Sequence, residues 1–470
     1  MKKVCLLGMI FLHAHILLGQ TVSDQLKIAM GKLQADSQMR HAIFSFYVID
    51  GKTGKLIFDK NSQIGLAPAS CQKLFTSAAA FELLGHDYCY KTELGYDGEI
   101  KDSVLNGNLY IIGSGDPTLG SWRYSTTVDT LLLNKWVEVI QKEGIKKING
   151  NLVGDDSKFE TQSTPDGWIW QDIGNYYGAG VWGLNWHENQ YDLKLKPGKK
   201  VGDPCTIIST YPELEYNYLV NELKTGEKGS GDNAYIYYPP YSFDAFIRGT
   251  IPLGEDSFVI GGAMAIASHY PARLLMDKCK KASIKITGEI QTSLDYIVNE
   301  KGFSYHSTNL FEHISPSLDS INYWFLKKSI NLYGEALIKT MAYKKIGFGS
   351  TEKGIEILKD FWNQQAIEKS AINITDGSGL SPQNRVTTDA LVKALQYAVT
   401  RPWFTSFYKA LPDINGMKMK SGSIGGARSY AGYQRGKDGR EYIFAIIVNN
   451  YDGSSSEIVK KMWHVLEVLK

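Results

Sequence analysis

Three short groups of residues could supply a nucleophile, a base and a proton relay. The first pairs Ser70 with Lys73, in a small and apolar run that follows Pro68. This run predicts a buried helix that begins near Ser70 and ends at Gly85. Residues three positions apart share one helix face, so the Lys73 amine could take the proton of the Ser70 hydroxyl. A four-residue match of this kind arises by chance in many long chains, so it needs support from the rest of the sequence.

The other two groups lie far along the chain. Ser329 and Asn331 stand at the entry to a predicted helix, where a hydroxyl can relay a proton and an amide can orient a lysine or a substrate carbonyl. Lys420, Ser421 and Gly422 lie in a predicted strand. There a cation and a hydroxyl can bind a carboxylate, and a glycine admits a substrate backbone. Each group alone also has a plainer interpretation, as a helix N-cap with a solvated amide or as a soluble edge strand.

The elements that must position these groups come from both ends of the chain. Two β-rich runs around a glycine turn, residues 41–49 and 55–59, predict a hairpin ahead of Ser70. A helix that reaches Leu469 follows three further predicted strands, at residues 417–423, 429–435 and 441–449. We therefore expect an α/β fold of the α+β type, with an antiparallel five-stranded sheet flanked by helices and interrupted by a long insertion.

The length of 470 residues predicts two or three domains. Strand-like runs alternate with helices over residues 91–191 and 251–299, which we interpret as an inserted α+β domain. Between these halves, residues 192–250 are rich in Tyr, Gly and Pro and predict a small nested β-rich domain. The catalytic domain would then comprise residues 20–90 and 300–470.

The inserted region carries a faint internal repeat. A predicted helix followed by Lys-Ile-x-Gly-x-aliphatic occurs at residues 147–152 and again at residues 285–290. This pattern predicts two similar halves in one domain. Chance is the alternative explanation for so short a match.

The N-terminal residues are typical of a secretory signal peptide. Lys2 and Lys3 precede an apolar run that ends at Leu18, and a small residue, Gly19, follows. The run is too short for a comfortable membrane span, and no cysteine follows it for a lipid anchor. We expect residues 1–19 to be removed. The mature chain would then act outside the cytoplasm, in the periplasm, soluble or weakly membrane-associated.

Charge and cysteine content narrow the partners. The chain has 51 basic and 49 acidic residues, and loss of the two N-terminal lysines leaves 49 of each. This balance argues against nucleic acid or an anionic membrane as the main partner. Four cysteines without metal-ligand spacing remain after the signal: Cys71, Cys89, Cys205 and Cys279. We expect a buried Cys71, and a Cys89–Cys205 or Cys205–Cys279 disulfide stays open.

In this order, Ser-x-x-Lys, Ser-x-Asn and Lys-Ser-Gly resemble the motifs of penicillin-binding proteins and serine β-lactamases. The roughly 250 residues between Lys73 and Ser329 are more than a β-lactamase has. Nearly the whole mature chain is similar to the D-alanyl-D-alanine carboxypeptidase/endopeptidase family, the low-molecular-mass class C penicillin-binding proteins. Two positions depart from the family pattern: Ile330, where a polar residue is usual, and Ser421, where threonine is common. Five further stretches carry the resemblance, at residues 68–73, 113–119, 150–156, 315–318 and 376–381.

The resemblance implies the transpeptidase fold of penicillin-binding proteins and a role for each reacting residue. Ser70 would attack the carbonyl of the penultimate D-alanine and form an acyl-enzyme, with a neutral Lys73 as general base. Ser329 would relay the proton to the leaving amine, and Asn331 would hold Lys73 and the substrate amide. The backbone N–H groups of Ser70 and Ser423 would form the oxyanion hole.

Further roles implied by the resemblance concern the substrate. Lys420 and Ser421 would bind its terminal carboxylate or support the proton relay, with Gly422 and Ser423 alongside. Asp155 and Phe159 would help to recognise an amine on its side chain. The turn at residues 376–381 is expected to be structural, near the cleft. No metal or organic cofactor is implied.

The leading hypothesis is thus a serine D-Ala-D-Ala carboxypeptidase or DD-endopeptidase that acts on peptidoglycan stem peptides and is acylated by β-lactams. A β-lactamase or esterase on the same fold is the first alternative, although no class A Glu-x-x-Leu-Asn deacylation motif is apparent. A non-catalytic cell-wall-binding or β-lactam-sensing protein is the second alternative. Such a binder would have no need of the full set of reacting groups. The sequence leaves the oligomeric state open.

Overall fold

The protein is described here from a computed structural model, which covers residues 21–214, 218–300 and 302–470. The proposed signal peptide, residues 1–19, lies outside these described residues. Among the helices in the described ranges, none is both long and apolar enough to cross a bilayer.

The chain begins with a helix, a hairpin and the helix of the proposed nucleophile. A 3₁₀ turn, Ala69–Gln72, holds Ser70, so the α-helix itself begins at Lys73 and ends before Gly85 as predicted. Nine consecutive residues of this helix, from Lys73 to Phe81, are buried, because small alanines let other elements pack on every side. The elements are α1 (Val22–Gln34), β1 (Ile43–Asp50), β2 (Leu56–Lys60) and α2 (Lys73–Leu84).

The predicted internal repeat is a structural repeat. The two copies lie side by side as parallel strands, with Lys285 opposite Lys147 and Ile286 opposite Ile148. A third copy, residues 104–109, was not recognised in the sequence. It pairs with the first copy, residues 147–152, in the same register. The elements between Lys91 and Ile173 are β3 (Lys91–Tyr96), β4 (Glu99–Lys101), β5 (Val104–Asn106), β6 (Leu109–Ile112), α3 (Asp129–Lys142), β7 (Lys147–Ile148), β8 (Leu152–Asp155) and α4 (Trp170–Ile173).

The Tyr-, Gly- and Pro-rich stretch is β-rich, as predicted. Its strands are β9 (Gln190–Lys196), β10 (Thr206–Tyr211), β11 (Tyr218–Asn221), β12 (Lys224–Gly226), β13 (Asn233–Tyr237), β14 (Asp244–Pro252) and β15 (Phe258–Ala263). They form a three-stranded sheet in the order β10-β9-β15 and a four-stranded sheet in the order β11-β14-β12, in which β13 also pairs with β14.

The chain then returns to the repeat region. The strand at Thr308–Ile314, β18, pairs with β3, although residues 300–470 are predicted to belong to the catalytic domain. The division into domains stays a prediction. The elements are α5 (His269–Lys281), β16 (Lys285–Ile286), β17 (Ile290–Thr292), α6 (Ser293–Val298) and β18 (Thr308–Ile314).

The last part of the chain supplies most of the helices around α2. The turn that contains Ser329 joins its first two helices, and Asn331 is the first residue of the second helix. The elements are α7 (Leu318–Lys327), α8 (Asn331–Ile346), α9 (Thr351–Gln364), β19 (Ile372–Asn373), β20 (Arg385–Val386), α10 (Thr388–Val399), α11 (Phe404–Ala410), β21 (Asp413–Ile414), β22 (Met417–Ile424), β23 (Ala427–Arg435), β24 (Glu441–Asn449) and α12 (Ser455–Leu466).

The main sheet joins both ends of the chain in the order β2-β1-β24-β23-β22-β21. The five predicted strands are present and antiparallel, and a two-residue strand, β21, adds a sixth at the edge. Strand β24 lies between β1 and β23, and its side chains alternate between two apolar cores. Ala445 and Ile447 pack with α2 and α8, whereas Phe444 and Ile446 pack with α1 and α12. Helices therefore cover both faces of the sheet.

Candidate active site

The proposed nucleophile lies on a strained turn at the start of α2. Ala69 has a left-handed backbone, with φ of 45°, and is buried. Such a conformation costs free energy in a residue with a Cβ and persists only where the surroundings enforce it. Gly379 fits against this turn because a Cβ there would lie 2.0 Å from the Ala69 carbonyl oxygen. The turn leaves Ser70 half-buried, in the wall of a cleft.

Lys73 is fully buried, and three oxygens surround its Nζ atom. Nζ lies 3.0 Å from Ser70 Oγ, 2.7 Å from Asn331 Oδ1 and 2.6 Å from the Ser378 carbonyl oxygen. A neutral amine has two N–H donors and one lone pair. The two carbonyl oxygens can only accept, so they take both N–H groups. The lone pair then faces the Ser70 hydroxyl, which is the arrangement of a general base.

The electrostatic surroundings favour this neutral form. Burial lowers the pKa of Lys73 well below the usual lysine value, because the ammonium loses its hydration. The nearby Lys420 ammonium lowers the pKa further, whereas Asp376 and Glu335 act in the opposite direction. After proton transfer the ammonium has three donors for the same three oxygens. Both protonation states are therefore fully hydrogen-bonded.

Asn331 is held from its other end. Its Nδ2 atom donates to the Tyr177 carbonyl oxygen at 2.8 Å, which leaves Oδ1 directed at Lys73. The preceding turn contains Ser329, whose φ of 58° is left-handed, and Ser329 lines the cleft with Ser70 and Asn331. The structure therefore brings the first two predicted groups together.

The third predicted group lies against the nucleophile turn. Lys420 is 1% exposed, and its Nζ atom donates to the Ser421 carbonyl oxygen at 2.9 Å. Burial lowers the pKa of Lys420 to about 8. Cys71 is buried as expected, donates from Sγ to the Lys420 carbonyl oxygen, and has a pKa raised to about 11 by burial. Lys420 lies behind the cleft wall, whereas Ser421 and Ser423 line the cleft.

Gly422 has a different role from the expected one. A Cβ at this position would lie 2.3 Å from the Pro68 carbonyl oxygen and 3.0 Å from the Ser70 nitrogen. The glycine is buried and admits the protein's own nucleophile turn, not a substrate backbone. This close approach places the backbone of β22 beside the Ser70 N–H group. The pairing of the Ser70 and Ser423 N–H groups as an oxyanion hole stays a prediction.

Asp155 and Phe159 are not in the cleft wall, so their expected contact with a substrate amine is corrected. Asp155 is 5% exposed and accepts hydrogen bonds from the Ser157 nitrogen and the Tyr305 hydroxyl. Phe159 is 3% exposed and belongs to the core around α2. Its ring fills the space that a Cβ on Gly115 would need. Both residues are occupied by packing within the protein.

The acidic residue that does line the cleft is Asp172, within the described residues. Burial raises the pKa of Asp172 above its usual value, and a hydrogen bond with the Tyr177 side chain offsets only part of this rise. The loop that carries both residues is anchored by Lys339, which is fully buried and donates to the Gln162 carbonyl oxygen at 2.6 Å. An ion pair of 3.4 Å joins Lys339 to Glu160. Nothing in the local sequence of this loop pointed to the cleft.

The turn at residues 376–381 is structural, as expected, and it supports the base. Asp376 is fully buried and accepts from the side chains of Gln72, Trp168 and Asn384 and from two backbone nitrogens. These bonds fix the turn whose Ser378 carbonyl oxygen binds Lys73. The stretch Asp-Gly-Ser-Gly was visible in the sequence, but its partners were not.

A buried acid was missed altogether. Glu335 lies one helical turn after Asn331 and accepts from the Gly377 nitrogen at 2.8 Å. Burial and then the Asp376 carboxylate raise the pKa of Glu335 to about 8. Glutamate in a helix is normally a solvated residue, so its type and position carried no signal.

The cleft between these elements has a volume of about 890 Å³. It is large enough for a peptide of a few residues. Within residues 21–214, 218–300 and 302–470, no three His, Cys, Asp or Glu side chains converge as metal ligands do. All four cysteines outside residues 1–20 are free, so neither possible disulfide is formed.

Fold and site together define the class of protein. A sheet built from both chain ends carries a Lys-Ser-Gly strand beside a buried Ser-x-x-Lys helix, and the Ser-x-Asn turn completes the site. These are the features of the penicillin-binding protein and serine β-lactamase fold.

The comparisons with known proteins identify the family. The model described as the D-Ala-D-Ala carboxypeptidase 3 (S13) family matches residues 26–468, so the chain belongs to this family. A D-alanyl-D-alanine carboxypeptidase of Actinomadura sp. (strain R39) is 25% identical over 455 residues, which cover 89% of this chain and 80% of that protein. The D-alanyl-D-alanine carboxypeptidase DacB of Haemophilus influenzae is 23% identical over 426 residues, 86% of this chain and 84% of that protein.

A solved structure supports the fold. The crystal structure of penicillin binding protein 4 (dacB) from Haemophilus influenzae has a TM-score of 0.76 and 21% identity, and the match covers 93% of this chain and 95% of that chain. The predicted family and fold class are thus confirmed.

Proposed function

We propose that this protein is a serine D-Ala-D-Ala carboxypeptidase, and on cross-linked stem peptides a DD-endopeptidase, that hydrolyses peptidoglycan through an acyl-enzyme on Ser70. One observation carries the proposal. The buried Lys73 amine has both of its N–H groups taken by carbonyl oxygens and its third position 3.0 Å from Ser70 Oγ. Membership of a family described as D-Ala-D-Ala carboxypeptidases supports the substrate class.

In the first step, Ser70 Oγ forms a bond with the carbonyl carbon of the penultimate D-alanine while its proton passes to Lys73 Nζ. The backbone N–H groups of Ser70 and Ser423 stabilise the negative oxygen of the tetrahedral intermediate. The C–N bond then breaks, and the proton reaches the leaving amine through the Ser329 hydroxyl. A water molecule hydrolyses the resulting ester with Lys73 again as base, which regenerates Ser70.

The terminal carboxylate of the substrate is bound at β22. Ser421 lines the cleft, and its hydroxyl donates to the carboxylate. Lys420 supplies positive charge from behind the wall, where low solvent access strengthens the attraction. A β-lactam carries a carboxylate at a comparable distance from its reactive carbonyl and acylates the same serine.

An amine on the substrate side chain is placed at Asp172 and not at Asp155. Asp172 lines the cleft, whereas the Asp155 carboxylate is held by Tyr305. An Asp172→Asn variant is expected to raise KM for a peptide with lysine before D-Ala-D-Ala. It should leave KM unchanged for the matching norleucine peptide. Equal effects on both peptides would remove Asp172 from this role.

Secretion of the chain and action in the periplasm belong to the same proposal, because peptidoglycan lies outside the cytoplasmic membrane. The basic and apolar character of residues 1–19 supports it. The test is N-terminal sequencing of the protein recovered from the periplasmic fraction of cells that express the whole chain. A start near residue 20 is expected, and an intact Met1 in the cytoplasmic fraction would contradict the proposal.

The activity itself is tested with the protein and a Ser70→Ala variant, each incubated with fluorescent penicillin and with a peptide that ends in D-Ala-D-Ala. Stable labelling and release of D-alanine, both lost in the variant, are expected. Rapid penicillin turnover without D-alanine release would identify a β-lactamase instead. Labelling without turnover of any substrate would leave a β-lactam-sensing protein.

A further inference from the structure

Arg123 is a guanidinium in the cleft wall that the proposed reaction does not use. It lines the cleft together with Ser70 and Ser329, and its side chain is 20% exposed. Its Nε atom donates to Glu188 Oε1 at 2.8 Å. Within the described part of the chain, neither of its Nη atoms has an acceptor. One edge of the guanidinium is therefore held by the protein while its outer pair of nitrogens stays available.

The holding site is built, not incidental. Glu188 is fully buried, and its Oε1 atom also accepts from Ser121 Oγ and from the Tyr333 hydroxyl, each at 2.8 Å. Glu188 and both of its neighbours have φ of 53°, a run of left-handed residues that only a specific surrounding would enforce. The protein thus maintains an unfavourable backbone and a buried carboxylate at the contact that holds Arg123 Nε.

Two indole rings restrict the guanidinium further. The Arg123 Cζ atom lies 5.2 Å from the centre of the Trp122 ring and 5.7 Å from that of the Trp324 ring. Such contacts hold the planar group without using its donors. Little side-chain entropy remains to be lost when a ligand binds, so the outer Nη pair is prepared for a planar anion.

The position of this cation is linked to the catalytic turn. Tyr333 lies in the first turn of α8, two residues after Asn331, and binds the same Glu188 oxygen as Arg123. Lys328, the residue before Ser329, is exposed and lines the same cleft, so it adds a second positive charge. This wall is separate from β22, where Ser421 is proposed to bind the terminal carboxylate.

We propose that Arg123 is a substrate-binding residue that recognises a second carboxylate of the stem peptide, one that lies upstream of D-Ala-D-Ala. A carboxylate matches the two outer Nη donors and can accept both hydrogen bonds at once. The inference rests on the proposed function for its substrate. It predicts that the enzyme discriminates between stem peptides whose upstream carboxylate is free and those in which it is amidated.

The test uses two peptides that differ in one group: γ-D-glutamyl-L-lysyl-D-Ala-D-Ala with a free α-carboxylate on the glutamyl residue, and the same peptide with an α-carboxamide there. The protein is expected to show a KM for the free acid about tenfold lower than for the amide, with similar kcat. In an Arg123→Met variant the two KM values should become equal through a rise for the acid alone. Equal KM values for the unmodified protein would overturn the proposal.

A matched control separates local binding from overall charge. Arg248 is exposed on β14, outside the residues that line the cleft, and Arg248→Met removes the same charge. It should leave the discrimination intact. If Arg248→Met abolished the discrimination as well, a long-range field would explain it and the assignment to Arg123 would be wrong.

The variant itself leaves Glu188 without its cation, so folding needs its own readout. The unfolding temperature of Arg123→Met, measured by circular dichroism, reports folding independently of the active site. If Arg123→Met is unfolded, the double variant Arg123→Met/Glu188→Gln, which removes the buried charge as well, is measured in its place. Lost discrimination in a folded variant supports the proposal, and retained discrimination overturns it.

Failure of the proposed function would look different. If the protein hydrolysed neither peptide, the two peptides can still compete with fluorescent penicillin for Ser70. Stronger protection by the free acid, lost in the Arg123 variant, would support the second carboxylate site on its own. Equal protection by both peptides would overturn it.

Discussion

Lys73 and Asn331 lie 258 positions apart in the chain, yet Lys73 Nζ donates to Asn331 Oδ1 at 2.7 Å. The Tyr177 carbonyl oxygen binds the amide nitrogen of the same Asn331 and so decides which end of the amide faces the lysine. A third region, the turn with Ser378, supplies the other acceptor. Three distant segments of the chain therefore orient one lone pair toward Ser70.

Removal of the Asn331 amide should lower the acylation rate more than the stability of the fold. In Asn331→Ala the Lys73 amine loses one of its two acceptors and can rotate away from Ser70. We expect the rate of labelling by fluorescent penicillin to fall by about 10²- to 10⁴-fold, the range for loss of positioned proton transfer. Asn363→Ala, which removes an exposed asparagine from the last turn of α9, is the matched control. An unchanged rate in Asn331→Ala would contradict the proposed role.

Acylation should depend on pH through Lys73. The pKa of Lys73 is well below the usual lysine value, so the neutral base forms as pH rises through that lowered pKa. The acylation rate should therefore reach its plateau well below pH 10. Stopped-flow measurements with a chromogenic β-lactam provide the profile. A rate that still rises at pH 10 would mean that Lys73 keeps an ordinary pKa, and Lys73→Arg, which cannot deprotonate, should abolish acylation at every pH.

A second pH-dependent change, in KM, is expected at alkaline pH. Because burial lowers the pKa of Lys420 to about 8, its positive charge is present below pH 8 and lost above it. KM for a peptide with a free terminal carboxylate should then rise as pH increases through about 8. A neutral ester substrate without that carboxylate has no use for the charge and serves as the control. A similar rise in KM for both substrates would exclude Lys420 as its cause.

Glu335 should affect stability with a definite sign. Burial raises the pKa of Glu335 to about 8, so the folded protein binds this proton more tightly than the unfolded chain does between pH 4.5 and 8. Stability from this group is therefore greatest at low pH and falls as pH rises through that window. Glu335→Gln resembles the protonated acid and should raise Tm relative to the unmodified protein more at pH 9 than at pH 5.

The control for this comparison is Glu356→Gln, which changes an exposed glutamate on α9 whose side chain is 56% exposed. Its Tm difference should be small and nearly independent of pH. If Glu335→Gln behaved in the same way in thermal melts, the carboxyl would not be buried in its protonated form.

The close approach at Gly422 gives a steric prediction. Gly422→Ala would place a methyl group 2.3 Å from the Pro68 carbonyl oxygen, so the nucleophile turn or β22 must move. We expect penicillin labelling to fall by at least about tenfold, because a displacement of the nucleophile by a fraction of an ångström lowers the rate steeply. Gly31→Ala, on α1, meets no atom within 4 Å and should leave the rate unchanged.

The sequence by itself determined which residues can react and which strands form the main sheet. Ser70, Lys73, Ser329, Asn331 and Lys420 were recognisable because their types and spacings persist in the chain however it folds. The five main strands were recognisable as well, because β-rich runs bounded by glycine-containing turns leave a pattern within five to nine consecutive positions. The repeat at residues 147–152 and 285–290 was also local, and its third copy was missed because its preceding helix is absent.

Only the tertiary structure decided what touches what. The local sequence around Gly422 cannot show that Pro68 lies against it, and the chain near Asp155 cannot show that Tyr305 occupies its carboxylate. Asp172 and Arg123 could be identified as candidate binding residues only because they line the cleft in the folded protein. Each of these relationships joins segments tens to hundreds of residues apart. Because they arise from the packing of loops and not from any local period, no pattern within a short window records them.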